Sequence, residues 1–217
     1  MVMNYRETSR REPDIIQLAV QEYKNGPLTA ELVNKTWQTL WAEWGKRIGQ
    51  TFDVPLCNRT TEELAKLQKE TKGVLLVPDN VSLVDLGEIF PEMKSWAVQE
   101  GTTVTDEYGK GGSIDIEMDL DSPHRDTTEE QAKDFLKQQK RNGQRLKIDI
   151  IGSQWSKLLT GHYFDENTWS RLPGSRGGGS MVGAFSVSGV RLRIISGLGR
   201  EDRYPGVGFR SEGVKKA

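Results

Sequence analysis

Cysteine occurs once in this chain, at Cys57, and histidine twice, at His124 and His162. A single thiol excludes an internal disulfide, and one thiol with two imidazoles excludes a multi-cysteine zinc centre or a histidine-rich metal site. Cys57 is expected as a small buried side chain. An excess of one charge is missing too: 30 Lys and Arg stand against 31 Asp and Glu, for a formal net charge of -1. No overall field would draw such a chain to nucleic acid or anionic lipid, so any binding is local. No apolar run approaches membrane-span length, and the opening residues, MVMNYRETSRREPD, lack the apolar centre of a signal peptide. The expectation is a soluble protein with no membrane span.

What is present reads as an α+β chain. Residues 1–13 are polar and charged and are expected as a flexible N-terminal arm, with residues 14–217 forming a single domain. Asp14 can cap a helix over 15–24 with Ile15, Leu18, Ala19 and Tyr23 at helical spacing, ended by Asn25-Gly26-Pro27. Thr29 can cap a second, in which Leu32, Val33, Trp37, Leu40, Trp41, Trp44 and Ile48 recur at three- and four-residue steps. That stripe predicts core, with oligomer contact as the alternative. Thr60 to Glu63 reads as a capping box, Val74 to Val77 as a short buried strand, and Ser82 as a cap for one more turn. Thr127 and Glu130 form a further box for a helix through Gln139.

Two stretches alternate strictly. Ile114, Ile116, Met118 and Leu120 against Asp115, Glu117, Asp119 and Asp121 predict a half-buried strand with a solvated acidic face. The acidic stretch lacks the glycine and distal glutamate of an EF-hand loop, so no metal and no cofactor are predicted. Leu146, Ile148 and Ile150 among polar neighbours predict another strand over 145–151. His162 beside Asp165 and Glu166 is read as structural, since no serine or cysteine nucleophile is paired with it in a motif.

From Trp169 to Arg210 glycine is dense, lysine and glutamine are absent, and every basic residue is arginine. Gly177-Gly178-Gly179 permits a sharp bend after Arg176. A strand is expected over 188–196, with Val190, Leu192 and Ile194 inward and Arg191, Arg193 and Ile195 outward. Pro205-Gly206 signals a turn before a short last strand, 207–210, with Phe209 inward. The glycine run lacks the Gly-Lys-Ser/Thr ending of a phosphate-binding loop. Taken alone, this tail would close an α+β domain as a glycine-rich hairpin.

Two frames flank it: Trp169-Ser170-Arg171-Leu172-Pro173-Gly174-Ser175-Arg176 and Pro205-Gly206-Val207-Gly208-Phe209-Arg210. The closing Gly-Phe-Arg resembles the end of the formylglycine-generating-enzyme type of C-type lectin domain. Together the frames resemble the C-terminal domain of variable proteins diversified by diversity-generating retroelements, over roughly 152–210. The resemblance implies a C-type lectin fold, with helices packed on a small antiparallel, glycine-rich sheet at the C-terminus. It also implies a variable region, 177–204, whose exposed side chains bind a target protein or cell-surface ligand. In that family variation arises at adenines of asparagine codons, which cannot yield Lys, Gln, Glu, Met or Trp. Between Gly177 and Arg210 only Met181 and Glu201 are of those types, and they are expected to be invariant framework. The positions expected on one exposed binding face are Gly183, Phe185, Val187, Arg191, Arg193, Ile195, Ser196, Asp202 and Tyr204.

The resemblance thus implies a binder rather than an enzyme, and a role in target recognition or attachment, virion-associated in viral members. Calcium-dependent sugar binding is not implied, because the Glu-Pro-Asn and Trp-Asn-Asp signatures are missing. The alternatives are an enzyme related to formylglycine-generating enzymes and a structural virion or surface subunit. Against the enzyme, that family carries its essential cysteines in the C-terminal half, where this chain has none.

Overall fold

The computed structural model describes residues 14–106, 110–187, 191–197 and 199–214. The expected arm, 1–13, and the expected inward side chain of Val190 lie outside them.

Helix α1 (Ile15–Asn25) starts where Asp14 accepts a hydrogen bond from the Ile16 amide at 2.9 Å, satisfying a donor that the first turn leaves free. Its buried residues are Ile16, Ala19 and Val20, while Ile15 and Leu18, expected inward, stand about half exposed. Tyr23 decides the rotation: its ring meets Trp155 edge-on at 4.8 Å, and the stripe 16, 19, 20, 23 follows it inward.

Helix α2 (Ala30–Ile48) runs from the Thr29 cap to Gly49, whose left-handed conformation (φ 68°) closes it. Trp37, Trp41 and Trp44 are buried as expected. Two of their indoles also donate to strand β1 (Lys72–Val77), Trp37 to the Val74 carbonyl at 3.0 Å and Trp41 to that of Leu76 at 2.7 Å. Burial of the rings is therefore compatible with satisfied N–H groups. The Thr60–Glu63 box starts α3 (Thr61–Lys69), and a Ser82–Asp85 box starts α4 (Leu83–Ile89).

The next elements are β2 (Val104–Asp106), β3 (Gly112–Glu117), α5 (Glu129–Gln139) and β4 (Asn142–Gly143). After them come α6 (Leu146–Thr160), β5 (Trp169–Gly177), β6 (Ser180–Val187), β7 (Arg191–Ser196), β8 (Val207–Phe209) and β9 (Ser211–Val214). The box of α5 is Thr128 with Gln131, one residue later than expected. Strands β1-β3-β9-β4 form one antiparallel sheet. In the other, β5 pairs on one side with β6 and through it with β7, and on its other side with β2 and, in parallel, with β8. One apolar cluster joins α1, α2, α4 and α6 to inward residues of both sheets, from Leu75 and Ile114 to Leu172, Val182 and Leu192. Among the described residues no helix is long and apolar enough to cross a membrane.

Two expectations are corrected. Residues 146–160 are helix, not strand over 145–151. Leu146, Ile148, Ile150, Ile151 and Trp155 are buried, and so are Asp149, Ser153 and Ser156. A helix enclosed on nearly every side has no solvent stripe to reveal its 3.6 period. The acidic face of β3 is not solvated: Asp115 and Glu117 are 5% and 7% exposed. Asp115 takes Arg59 at 2.7 Å and Arg141 at 2.5 Å, and Glu117 accepts from the amide and hydroxyl of Ser211. The strand also stops at Glu117, short of Asp119 and Asp121. Strands β5 and β6 come in addition to the strands expected in the tail. Pro173 and Gly174 hide β5 because they sit where the register of its pairing with β6 shifts, an irregularity that tolerates a residue without an amide hydrogen.

Candidate functional site

The tail folds as a hairpin followed by a loop that returns to the same sheet. Gly178 and Gly179 both take positive φ, 57° and 83°, which suits a two-residue turn between β5 and β6 and would strain any other residue. Strand β6 then pairs with β7 in the register Val182↔Ser196, Gly183↔Ile195, Ala184↔Ile194, Phe185↔Arg193, Ser186↔Leu192 and Val187↔Arg191. Opposed residues share a face and neighbours alternate. Val182, Ala184, Leu192 and Ile194 therefore go inward, none more than 5% exposed. Phe185, Val187, Arg193 and Ile195 go outward, where Val187 and Arg193 are exposed and Phe185 and Ile195 half-buried.

Strand β5 extends this face. The ring of Trp169 lies flat on that of Phe185, with centroids 3.9 Å apart and planes 9° from parallel. Arg171, 1% exposed, reaches across to the loop that follows β7. Its guanidinium donates to the carbonyls of Thr127 and Asp202, both at 2.7 Å. That loop is tightened by the Asp202 carboxylate, which accepts from the Gly199 amide at 2.8 Å. Arg203 pairs with Asp126 at 3.0 Å, and Tyr204 projects with 49% exposure. Burial lowers the pKa of Arg171, while Asp202 and Glu129 hold its charge in place.

Of the nine residues expected on one face, Phe185, Val187, Arg193 and Ile195 share it, and Asp202 (half-buried) and Tyr204 stand on the loop that Arg171 ties to the sheet. Arg191 is opposite Val187, and its side chain lies outside the described part. Two residues are corrected. Gly183 points outward but is buried, because without a side chain it lies below its cross-strand neighbours Arg171 and Ile195. Ser196 is exposed, yet it sits opposite Val182 on the inward parity, reaching solvent only because β7 ends there. Trp169 and Arg171 are the residues that sequence reasoning missed as parts of this surface. Both belong to the first frame, but only strand pairing reveals that one completes the ring platform and the other anchors the loop.

Beneath the face, β8 is held beside β5 by the residue that follows it. Arg210, 0% exposed, bonds both oxygens of Asp165, Nε to Oδ2 at 3.1 Å and Nη2 to Oδ1 at 2.9 Å. Its guanidinium also donates to the Asp119 carbonyl at 3.0 Å and covers the Phe164 ring at 4.1 Å. Asp149 lies nearby on α6, taking one hydrogen bond from Gln144 at 3.0 Å. Burial, and next the charge of Asp165, push its pKa up to about 7. Burial likewise lifts Glu212 to about 7 against the pull of Arg145, which donates to it from Nε at 2.8 Å. Both acids are enclosed at 2% exposure or less. His124 stacks on Phe209 at 4.7 Å, and His162 pairs with Glu166 at the surface at 3.1 Å.

No protein-family model, curated protein or solved structure matches the chain. Its chemistry is therefore read from its own surface. Four surface hollows of about 380–680 Å³ are lined by residues between 31 and 112 and include no residue of 169–210. The face of β6 and β7 offers instead stacked rings, an exposed guanidinium and aliphatic side chains on a strand framework. Such groups make contacts over an area rather than enclosing a small molecule.

Proposed function

We propose that the chain is a ligand-binding variable protein of the retroelement-diversified kind. On this reading a C-type lectin scaffold presents the outward residues of β6 and β7 and the 199–204 loop to a target protein or cell-surface ligand, and no reaction is catalysed. One observation carries it: alternate residues of the hairpin have separate duties. Val182, Ala184, Leu192 and Ile194 are buried, while Phe185, Val187, Arg193 and Ile195 on the other parity meet solvent. The outward set can change without disturbing the core, which a diversified surface requires.

Two further facts support the reading. The frames that flank the tail are neighbours in space, with Trp169, Ser170 and Arg171 paired in parallel to Val207, Gly208 and Phe209. They bracket the variable stretch as the closed base of a display. Met181, expected to be invariant, is 2% exposed, as framework should be.

Sequencing the gene in related isolates tests this, together with a search for a near-copy of the tail's coding sequence. Changes should concentrate at Phe185, Val187, Arg191, Arg193, Ile195, Asp202 and Tyr204 and spare Met181, Glu201 and the inward set. Variation spread evenly over the chain, or a constant tail, would return it to an ordinary hairpin.

A further inference from the structure

We infer that the partner of this face is an acidic protein epitope, in which one or two carboxylates flank an apolar or aromatic side chain. The inference rests on the display function proposed above and adds the chemistry of what is displayed to.

Three acids around the face are already engaged. Asp202 turns its carboxylate to the Gly199 amide, Asp126 holds Arg203, and Glu129 is buried against Lys133 at 2.7 Å and Arg176 at 3.2 Å. The cations are not all engaged. Arg193 and Arg200 are exposed, and neither side chain has an acidic partner among the described residues. Glu201, next to Arg200 in the chain, is exposed as well. Arg193 stands directly across from Phe185, whose ring is backed by Trp169. A planar guanidinium beside a half-open ring pair is suited to a carboxylate held in its fork and an apolar group laid on the rings. Ile195, on the same face, and Tyr204, on the tied loop, would widen the apolar part.

Charge decides between a protein and a polyanion. The chain carries a net charge of -1, so no overall field gathers a phosphate backbone, and on this face it would meet two exposed guanidiniums, Arg193 and Arg200, among the described residues. With about 0.7 counterions released per phosphate contact, two contacts give a small driving force for single strands. Discrete carboxylates need no more cations than are present, and the attraction acts within about 8–10 Å at ordinary salt.

The test is a selection of random displayed peptides on the immobilised full chain at low salt. The winners, and a single-stranded DNA oligonucleotide, are then titrated against wild type and variants whose melting curves match it. One pair, Arg193→Glu with Arg200→Glu, reverses the charge; Arg193→Gln with Arg200→Gln replaces it should the first pair fold poorly. A second pair, Ile195→Ser with Tyr204→Ser, removes apolar contacts of the surface without changing charge. The expected result is enrichment of Asp and Glu beside apolar residues, with binding weakened about tenfold or more by charge reversal and weakened by added salt. Peptides without an acidic excess that lose binding to the Ile195/Tyr204 pair but not to the charge pair would overturn the acidic partner and leave the display face standing. Binding untouched by both pairs would overturn both. An empty selection, or tighter binding to the oligonucleotide than to any peptide, would overturn the acidic epitope.

Discussion

The two sheets treat alternating sequence in opposite ways. In the four-stranded sheet, Asp115 and Glu117 occupy one face of β3, and Glu212 of β9 pairs across from Ile116 on the other. All three are buried and held: Asp115 by Arg59 and Arg141, Glu117 by Ser211, and Glu212 by Arg145. In the five-stranded sheet, the outward residues Val187 and Arg193 of β6 and β7 meet solvent, and the half-buried Phe185 stacks on Trp169. Period-two polarity therefore identifies which residues share a face. Whether that face is wet depends on what the rest of the chain lays over it. A charge in the first sheet should be costly to disturb, and one in the second cheap.

The sharpest way to break this contrast is at Arg210. Arg210→Met leaves Asp165 buried without its counter-charge beside Asp149, and should lower stability by about 3–5 kcal/mol. Urea unfolding measures it, and a loss under about 1 kcal/mol would mean that the junction between β8 and β9 does not depend on the pair.

Next in size is the inward side of the β6–β7 hairpin. Leu192, 4% exposed, belongs to the main core, so Leu192→Ala should cost roughly 2–5 kcal/mol. A thermal melt that barely moves would show the hairpin to be loosely attached and its two parities equivalent.

A third measurement concerns pH. The pKa of Asp149 is pushed up to about 7, far above its ordinary value of about 3.9. The folded chain then holds this proton where the unfolded chain has released it. Its contribution is full below about 4, declines as pH rises through the window to about 7, and is gone above that. Glu212, also near 7, acts with the same sign. Asp149→Asn isolates the first group: wild-type stability minus that of the variant should fall from pH 4 to 7 and then level. A flat difference would mean that Asp149 binds no extra proton in the folded protein.

The smallest effects should come from the outward face. Val187→Ser, Arg193→Ser, Ile195→Ser and Tyr204→Ser should each change stability by no more than about 0.5 kcal/mol. Phe185→Ser is different, because it gives up a ring stack, and should cost about 1 kcal/mol. If Arg193→Ser destabilises as much as Leu192→Ala, the two faces of the hairpin are not separate and the display function fails with them.

By itself the sequence determined the parts whose signals are local. The tryptophan stripe of α2, the Thr29 cap and the Thr60–Glu63 box depend on spacings of three and four residues within one helix, and they stand where expected. The inward Leu192 and Ile194 followed from alternation within a few residues, as did the outward Arg193 and Ile195, and the inward Phe209 from the turn before it. Tertiary structure alone decided the rest. Leu146 to Ile151 alternates like a strand, but α6 is enclosed by both sheets, so polarity no longer tracks solvent along it. Asp115 and Glu117 read as a wet face until Arg59, Arg141 and Ser211, as many as 94 residues away, supply their partners. Gly183 is buried by Arg171 across the strand pair, and Trp169 joins the outward face through a ring on β6. In each of these cases the deciding contact comes from another element. Periodicity within a segment reports how side chains are oriented about that segment, whereas burial depends on what the remainder of the chain brings against it.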